Sequence, residues 1–176
     1  MISAVPAIAA VIGADSQFVQ TLFATVVADW RAAGVKVVGV IAETHGLADR
    51  SCSAGFLRDI ATGKLFSIYL ETAPSHTSCH LDADGVNAAS ASLMLQVQTG
   101  DLVVLSKFGK LEAMRSGLTG AFEAAIAAGK PVLTAVSEKH RDAWRAFAPD
   151  ATFLPAEKTA LEAWWRDLGV SSHAAA

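Results

Sequence analysis

Cysteine is scarce in this chain, with only Cys52 and Cys79 among 176 residues. Two cysteines exclude a disulfide framework, their separation matches no zinc-knuckle spacing, and both read as reduced thiols. Long apolar runs are missing too. The mean hydropathy of +0.38 comes from alanine-rich stretches and short Val/Ile/Leu runs, none near the roughly 18 residues that suggest a membrane span. The chain has no dense Lys/Arg run and carries a formal charge of -3, which argues against a nucleic-acid backbone as main partner. Neither nucleic acid nor membrane is expected. The opening Met-Ile-Ser-Ala-Val-Pro-Ala-Ile-Ala-Ala lacks the basic start of a signal peptide, so a cytoplasmic location follows. Linkers, internal repeats and low-complexity segments are absent as well. Residues 1–170 are therefore expected to form one domain with a full core, and 171–176 a flexible tail.

What is present is an alternation of short buried strands with helices. Ala7 to Ile12 reads as a first strand ending at Gly13. Ala14, Asp15 and Ser16 offer N-cap chemistry for a helix reaching about Ala33, with Phe18, Leu22, Val26 and Trp30 as its apolar stripe. Gly34 stops it. Val35 to Ala42 is a second strand, Thr44 to Gly55 a polar loop, and Phe56 to Ile60 with Leu65 to Leu70 a hairpin at an edge. A helix over about Val86 to Gln98 follows, capped by Asp82 or Asp84. Leu102 to Leu105 is a strand buried on both faces, and Val132 to Val136 another. Gly117 to Ala128, His140 to Phe147 and Glu157 to Leu168 read as helices, and Thr152 to Leu154 as a last strand. The fold class this predicts is α/β, a three-layer α/β/α sandwich with a mainly parallel sheet and a small β-hairpin insertion.

Ligand chemistry in parallel sheets gathers just past the carboxyl ends of the strands. Asp101 to Glu112 (Asp-Leu-Val-Val-Leu-Ser-Lys-Phe-Gly-Lys-Leu-Glu) puts Ser106, Lys107, Lys110 and Glu112 at such an end. The first strand puts a glycine turn and a capped helix at another, where backbone N–H groups and a positive helix end suit a phosphate. Laid over G-x-x-x-x-G-K-[ST], Gly13 fits, but Phe18, Val19 and Gln20 replace the second glycine, the lysine and the magnesium-binding hydroxyl. An ordinary turn without a ligand is the alternative. Without that lysine and hydroxyl, triphosphate hydrolysis loses its charge partners, and magnesium is not expected to be held tightly.

Cys79-His80-Leu81-Asp82, the segment Asp101 to Ala113, and Pro131-Val132-Leu133 together resemble an uncharacterised bacterial family that is similar to the P-loop nucleoside-triphosphatases. The resemblance runs from Ala7 to Leu168; Cys-x-Leu-Asp and Lys-Phe-Gly-Lys-x-Glu are its most specific marks. It implies a P-loop NTPase-like fold. In the related triphosphatases the strand matching Leu102 to Leu105 ends in Asp-Glu, an apolar residue and Gly-Lys-x-Glu. Here Phe108, Gly109, Lys110 and Glu112 match, while Ser106 and Lys107 stand in the two acidic positions. Both motifs have thus lost the groups that hold magnesium and orient water.

The expectation is a nucleotide- or oxyanion-binding protein with weak or no hydrolysis. Gly13, Ala14, Asp15, Ser16 and Gln17 would supply backbone groups, and Lys107 and Lys110 positive charge, with Lys107 compensating for Val19 if the two strands are neighbours. The expected ligand is a nucleotide or a phosphate-like anion. An atypical active triphosphatase or phosphotransferase is one alternative, in which Lys107, Lys110 and Glu112 are the catalytic candidates. A non-catalytic assembly or regulatory subunit is another, meeting a protein partner or its own copy through a surface such as Trp164/Trp165. A third is metal or metal-oxyanion handling through Cys79, His80 and Asp82. The remaining histidines, including His140, read as loop or helix-surface residues, and Glu43 and Asp49 as solvated loop carboxylates.

Overall fold

The computed structural model describes residues 7–44, 54–68 and 82–169. Seven strands form one sheet: β1 (Ile8–Val11), β2 (Val37–Thr44), β3 (Ala54–Asp59), β4 (Leu65–Ser67), β5 (Leu102–Val104), β6 (Val132–Ala135) and β7 (Thr152–Leu154). Their spatial order is β4-β3-β2-β5-β6-β1-β7. Strands β2, β5, β6, β1 and β7 run parallel. The β3–β4 hairpin closes one edge antiparallel.

Alternation along the strands fills two cores. Leu102 and Val104 face one side and Val103 and Leu105 the other, all fully buried. This is why the run reads as continuously apolar. On the first face lie α1 (Ser16–Ala32) and α6 (Lys158–Asp167), with Phe23, Val26, Leu161 and Trp164 packed against Ala9, Val11 and Leu133. On the other lie α2 (Ala83–Met94), α4 (Thr119–Ala127) and α5 (Arg141–Phe147). There Phe108 packs within 5.2–5.9 Å of the rings of Trp144, Phe147 and Phe122. Each such ring pair contributes about 0.5–1.5 kcal/mol beyond its buried area. The three-layer α/β/α sandwich and the edge hairpin match the sequence expectation.

Several boundaries differ from it. The α1 stripe is carried by Val19, Phe23, Val26, Val27 and Trp30, while Phe18 is 55% exposed. A four-residue spacing drifts around a helix of 3.6 residues per turn, so Phe18 has rotated off the buried face that Trp30 occupies. Strand β2 starts at Val37 rather than Val35 because Gly34, at φ 92°, ends the helix and Val35 N–H still bonds back to the Trp30 carbonyl. Gly39 lets β2 lie close to β5, since a Cβ there would stand 1.8 Å from the Val104 carbonyl oxygen. A short helix, α3 (Lys110–Ala113), occupies what reads as a turn. Trp164 and Trp165 are 3% and 5% exposed, and Trp165 packs on Trp30 at 5.9 Å, so they build the core and are not a docking surface. No helix among the described residues is long and apolar enough to cross a membrane.

The connections set where a ligand fits. The chain leaves β1 by α1 on one face and leaves β6 by α5 on the other. Adjacent strands whose connections part to opposite faces open a crevice past their carboxyl ends. That crevice lies between β1 and β6.

Candidate anion site at the strand ends

Three strand ends are stitched together here. Val136 N–H donates to the Val11 carbonyl oxygen at 2.9 Å, Phe108 N–H donates to the Ala135 carbonyl at 2.9 Å, and Phe108 bridges Val136 in parallel register. Residues 12–15 and 137–140 therefore leave the sheet side by side, while Lys107 precedes the last bridged residue of its strand. Strand β6 separates the Lys107 end of β5 from the Gly13 turn after β1. The two strands are not the neighbours that the sequence argument supposed.

The turn after β1 is tight. Gly13 takes φ 86°, and α1 is under way at Ser16, so Ser16, Gln17 and Phe18 are helical rather than part of a long phosphate-wrapping loop. Asp15 is the N-cap, its Oδ1 accepting the N–H groups of Gln17 at 3.0 Å and Phe18 at 3.2 Å. The protein thus supplies its own carboxylate to part of this helix end, and the Gln17 N–H is engaged. Gly13, Ala14, Asp15, Ser16 and Gln17 are all exposed.

Gln20 stands where the motif requires a magnesium-binding hydroxyl, and it is 6% exposed. Its Nε2 donates to the Ser106 carbonyl oxygen at 2.8 Å and its Oε1 accepts the Ala42 N–H at 2.9 Å. One neutral amide pins α1 to the ends of β5 and β2. Magnesium wants hard oxygen donors and a carboxylate. Here the two motif positions are joined by an amide-to-carbonyl hydrogen bond instead, and these residues do not fit the ion.

Glu112 is also buried, at 6% exposure. Its Oε2 accepts the Gly109 N–H at 2.9 Å and its Oε1 the Leu118 N–H at 3.0 Å. The carboxylate clamps the start of α3 to the turn before α4, and it neither pairs with Lys110 nor faces solvent. Lys107 and Lys110 are exposed, and among the described residues neither forms an ion pair. The Lys107 stem folds over Gly109, where an added Cβ would lie 3.6 Å from Lys107 Cε. Arg115 is drawn off to Glu123 at 3.1 Å.

Sequence reasoning missed Ser137 and His140. Ser137 Oγ and His140 Nδ1 share a 2.9 Å hydrogen bond across the turn that follows β6. Partial burial, helped by the cationic Lys139 and Lys107, lowers the His140 pKa from its ordinary value and favours the neutral ring. The signal was available: Ser137 follows a buried strand as Ser106 does.

Other candidates fall elsewhere. Glu43 pairs with Arg58 on the exposed β2–β3 face. Asp82 Oδ1 accepts the Asp84 N–H at 3.0 Å and caps α2. Cys79, His80 and Asp49 lie outside the described residues. Two open grooves, of about 410 and 460 Å³, run along the Arg31 side of α1 and β2. Neither is lined by the residues that follow β1, β5 or β6.

Residues 8–164 match the family described as "Protein of unknown function (DUF2478)". The chain belongs to that family. Outside the family match, the molybdenum import ATP-binding protein ModC 2 of Bradyrhizobium diazoefficiens is 37% identical over 164 residues, covering 91% of this chain and 18% of that protein. The DUF2478 chain thus spans less than a fifth of the relative's length. No solved structure matches it.

Proposed function

We propose that this DUF2478 domain binds a tetrahedral oxyanion, free or as the terminal phosphate of a nucleotide, at the β1/β6 strand ends without hydrolysing it. The observation that carries the absence of hydrolysis is the buried Gln20 bridge, a neutral hydrogen bond in place of a magnesium site. The binding half rests on Lys107 and Lys110, exposed cations past the end of β5 without an ion-pair partner among the described residues, and on the exposed Gly13 turn at the β1/β6 switch point. The relative's name joins molybdenum import to ATP binding, and molybdenum in water at neutral pH travels as a tetrahedral dianion. An oxyanion-binding segment within such a protein fits both words.

Calorimetric titration with molybdate, inorganic phosphate and ATP, each with and without magnesium, tests the proposal. Binding of at least one of them with no magnesium requirement, and no phosphate release from ATP above background, is the expected result. Magnesium-dependent release of phosphate would favour the active-enzyme alternative. Silence with every anion would remove the binding reading.

A further inference from the structure

The turn after β6 carries a hydroxyl and an imidazole that no motif argument uses. Ser137 fixes the His140 ring through the 2.9 Å bond at Nδ1, leaving Nε2 with no hydrogen-bond partner among the described residues. The parallel bridge between Phe108 and Val136, with the Val136 N–H bond to Val11, brings the turn that begins at Ser137 beside the turn after β1. The switch point thus has the β1–α1 turn on one side and the Ser137–His140 turn on the other, with Lys107 close enough for its charge to act on the ring.

The charges about the ring are of one sign. Lys139 on its own turn and Lys107 from the β5 end both act on it. Glu138 is spent on Arg141 at 2.8 Å, and Asp15 on the β1 side is turned into its own helix. No carboxylate among the described residues pairs with the imidazole, so a neutral ring has no internal reason to take a proton. An incoming dianion supplies one.

We infer that Ser137, His140 and Lys107 form the second wall of the anion site and that His140 takes up a proton as the anion binds, selecting dianionic tetrahedral ligands over monoanions. This rests on the oxyanion-binding reading above. The proton comes from buffer: neutral imidazole, dianion and buffer acid give imidazolium, bound dianion and buffer base, with no covalent step. The bound charge raises the affinity of the imidazole for its proton, and by linkage the proton raises the affinity for the anion equally.

The test is calorimetry of the whole chain with molybdate, ATP without magnesium, and perchlorate as a tetrahedral monoanion, in buffers of different ionisation enthalpy. Wild type should take up about half a proton per molybdate or ATP bound near neutral pH. Its affinity should fall about ten-fold from about pH 6 to about pH 8.5, either side of the ordinary imidazole value. Perchlorate should bind far more weakly. Stronger binding of either molybdate or ATP supports the inference and identifies a free oxyanion or a terminal phosphate as the source. His140→Gln should abolish both the uptake and the pH slope, and Ser137→Ala should reduce them, with unchanged thermal melting at about pH 8 as the folding control. Molybdate or ATP binding without proton uptake, or wild-type uptake in His140→Gln, overturns this inference alone. Failure of wild type to bind any anion at any pH overturns the oxyanion reading and this one with it.

Discussion

Gln20 and Glu112 are two buried polar side chains past the ends of parallel strands, and the fold uses them differently. Gln20 is neutral and reaches outward, joining α1 to the ends of β2 and β5. Glu112 carries a carboxyl group and reaches only along its own segment, from Gly109 to Leu118. The first ties separate elements together, and the second spends both oxygens on the backbone of one segment. What a buried polar side chain can do is thus decided by its partners rather than by its residue type.

Breaking the Glu112 clamp should have the largest effect. Glu112→Ala leaves the Gly109 and Leu118 N–H groups buried without acceptors, each worth about 1–3 kcal/mol, so a loss of about 3 kcal/mol is expected in urea unfolding. Glu112→Gln keeps one oxygen acceptor and should cost about half as much. A near-zero loss for the alanine variant would mean that the turn rearranges and the clamp is not holding it.

Gln20→Ala comes next, at about 2 kcal/mol, because it orphans the Ser106 carbonyl and the Ala42 N–H. The Ala42 amide, half-buried at the β2 end, recovers part of its bonding from water. Combining it with Glu112→Ala sharpens the comparison. The two sites share no hydrogen-bond partner, and their costs should add to within about 0.5 kcal/mol. Strong coupling would show that the strand end and the α3 clamp act as one unit.

The fold was legible because its signals are redundant: both faces of Leu102 to Leu105 are buried, and the apolar run says so without any long-range knowledge. The site was legible only in part. Gly13 and Lys107 could be placed at strand ends, but which ends lie side by side depends on a strand order, β5-β6-β1, that no local pattern encodes. The Gln20 contact spans 86 residues of sequence, so the side chain looked like a bare loss of function. Glu112 reads in sequence as a catalytic candidate at a strand end; only the path of the chain to Leu118 shows the carboxylate turned inward. His140 reads as surface because its partial burial depends on tertiary packing, and the Lys107 charge that acts on it comes from another strand end.

His140 makes a smaller contribution to stability, and its sign is fixed. Its pKa in the folded chain lies below the ordinary value of 6.5, so the unfolded chain binds the proton more readily. Stability is fully present above about pH 6.5 and declines as pH falls through the folded-state value. Melting temperature followed from about pH 8 downward should show this slope, and His140→Gln should flatten it. A steeper fall in the variant than in wild type would assign acid sensitivity to other groups.

Lys107→Ala should move stability least and separate the two regions most cleanly. The side chain is exposed, forms no ion pair among the described residues and lies over Gly109 only by its stem, so a change within about 0.5 kcal/mol is expected. If the cation serves a ligand rather than the fold, the cost appears as an affinity for molybdate or ATP about five-fold weaker, equivalent to about 1 kcal/mol. Raised salt should narrow that gap, because exposed charges are screened. A Lys107→Ala protein that is destabilised yet binds as before would reverse the assignment, making Lys107 a structural residue like Glu112 and leaving the Gly13 turn to hold an anion without it.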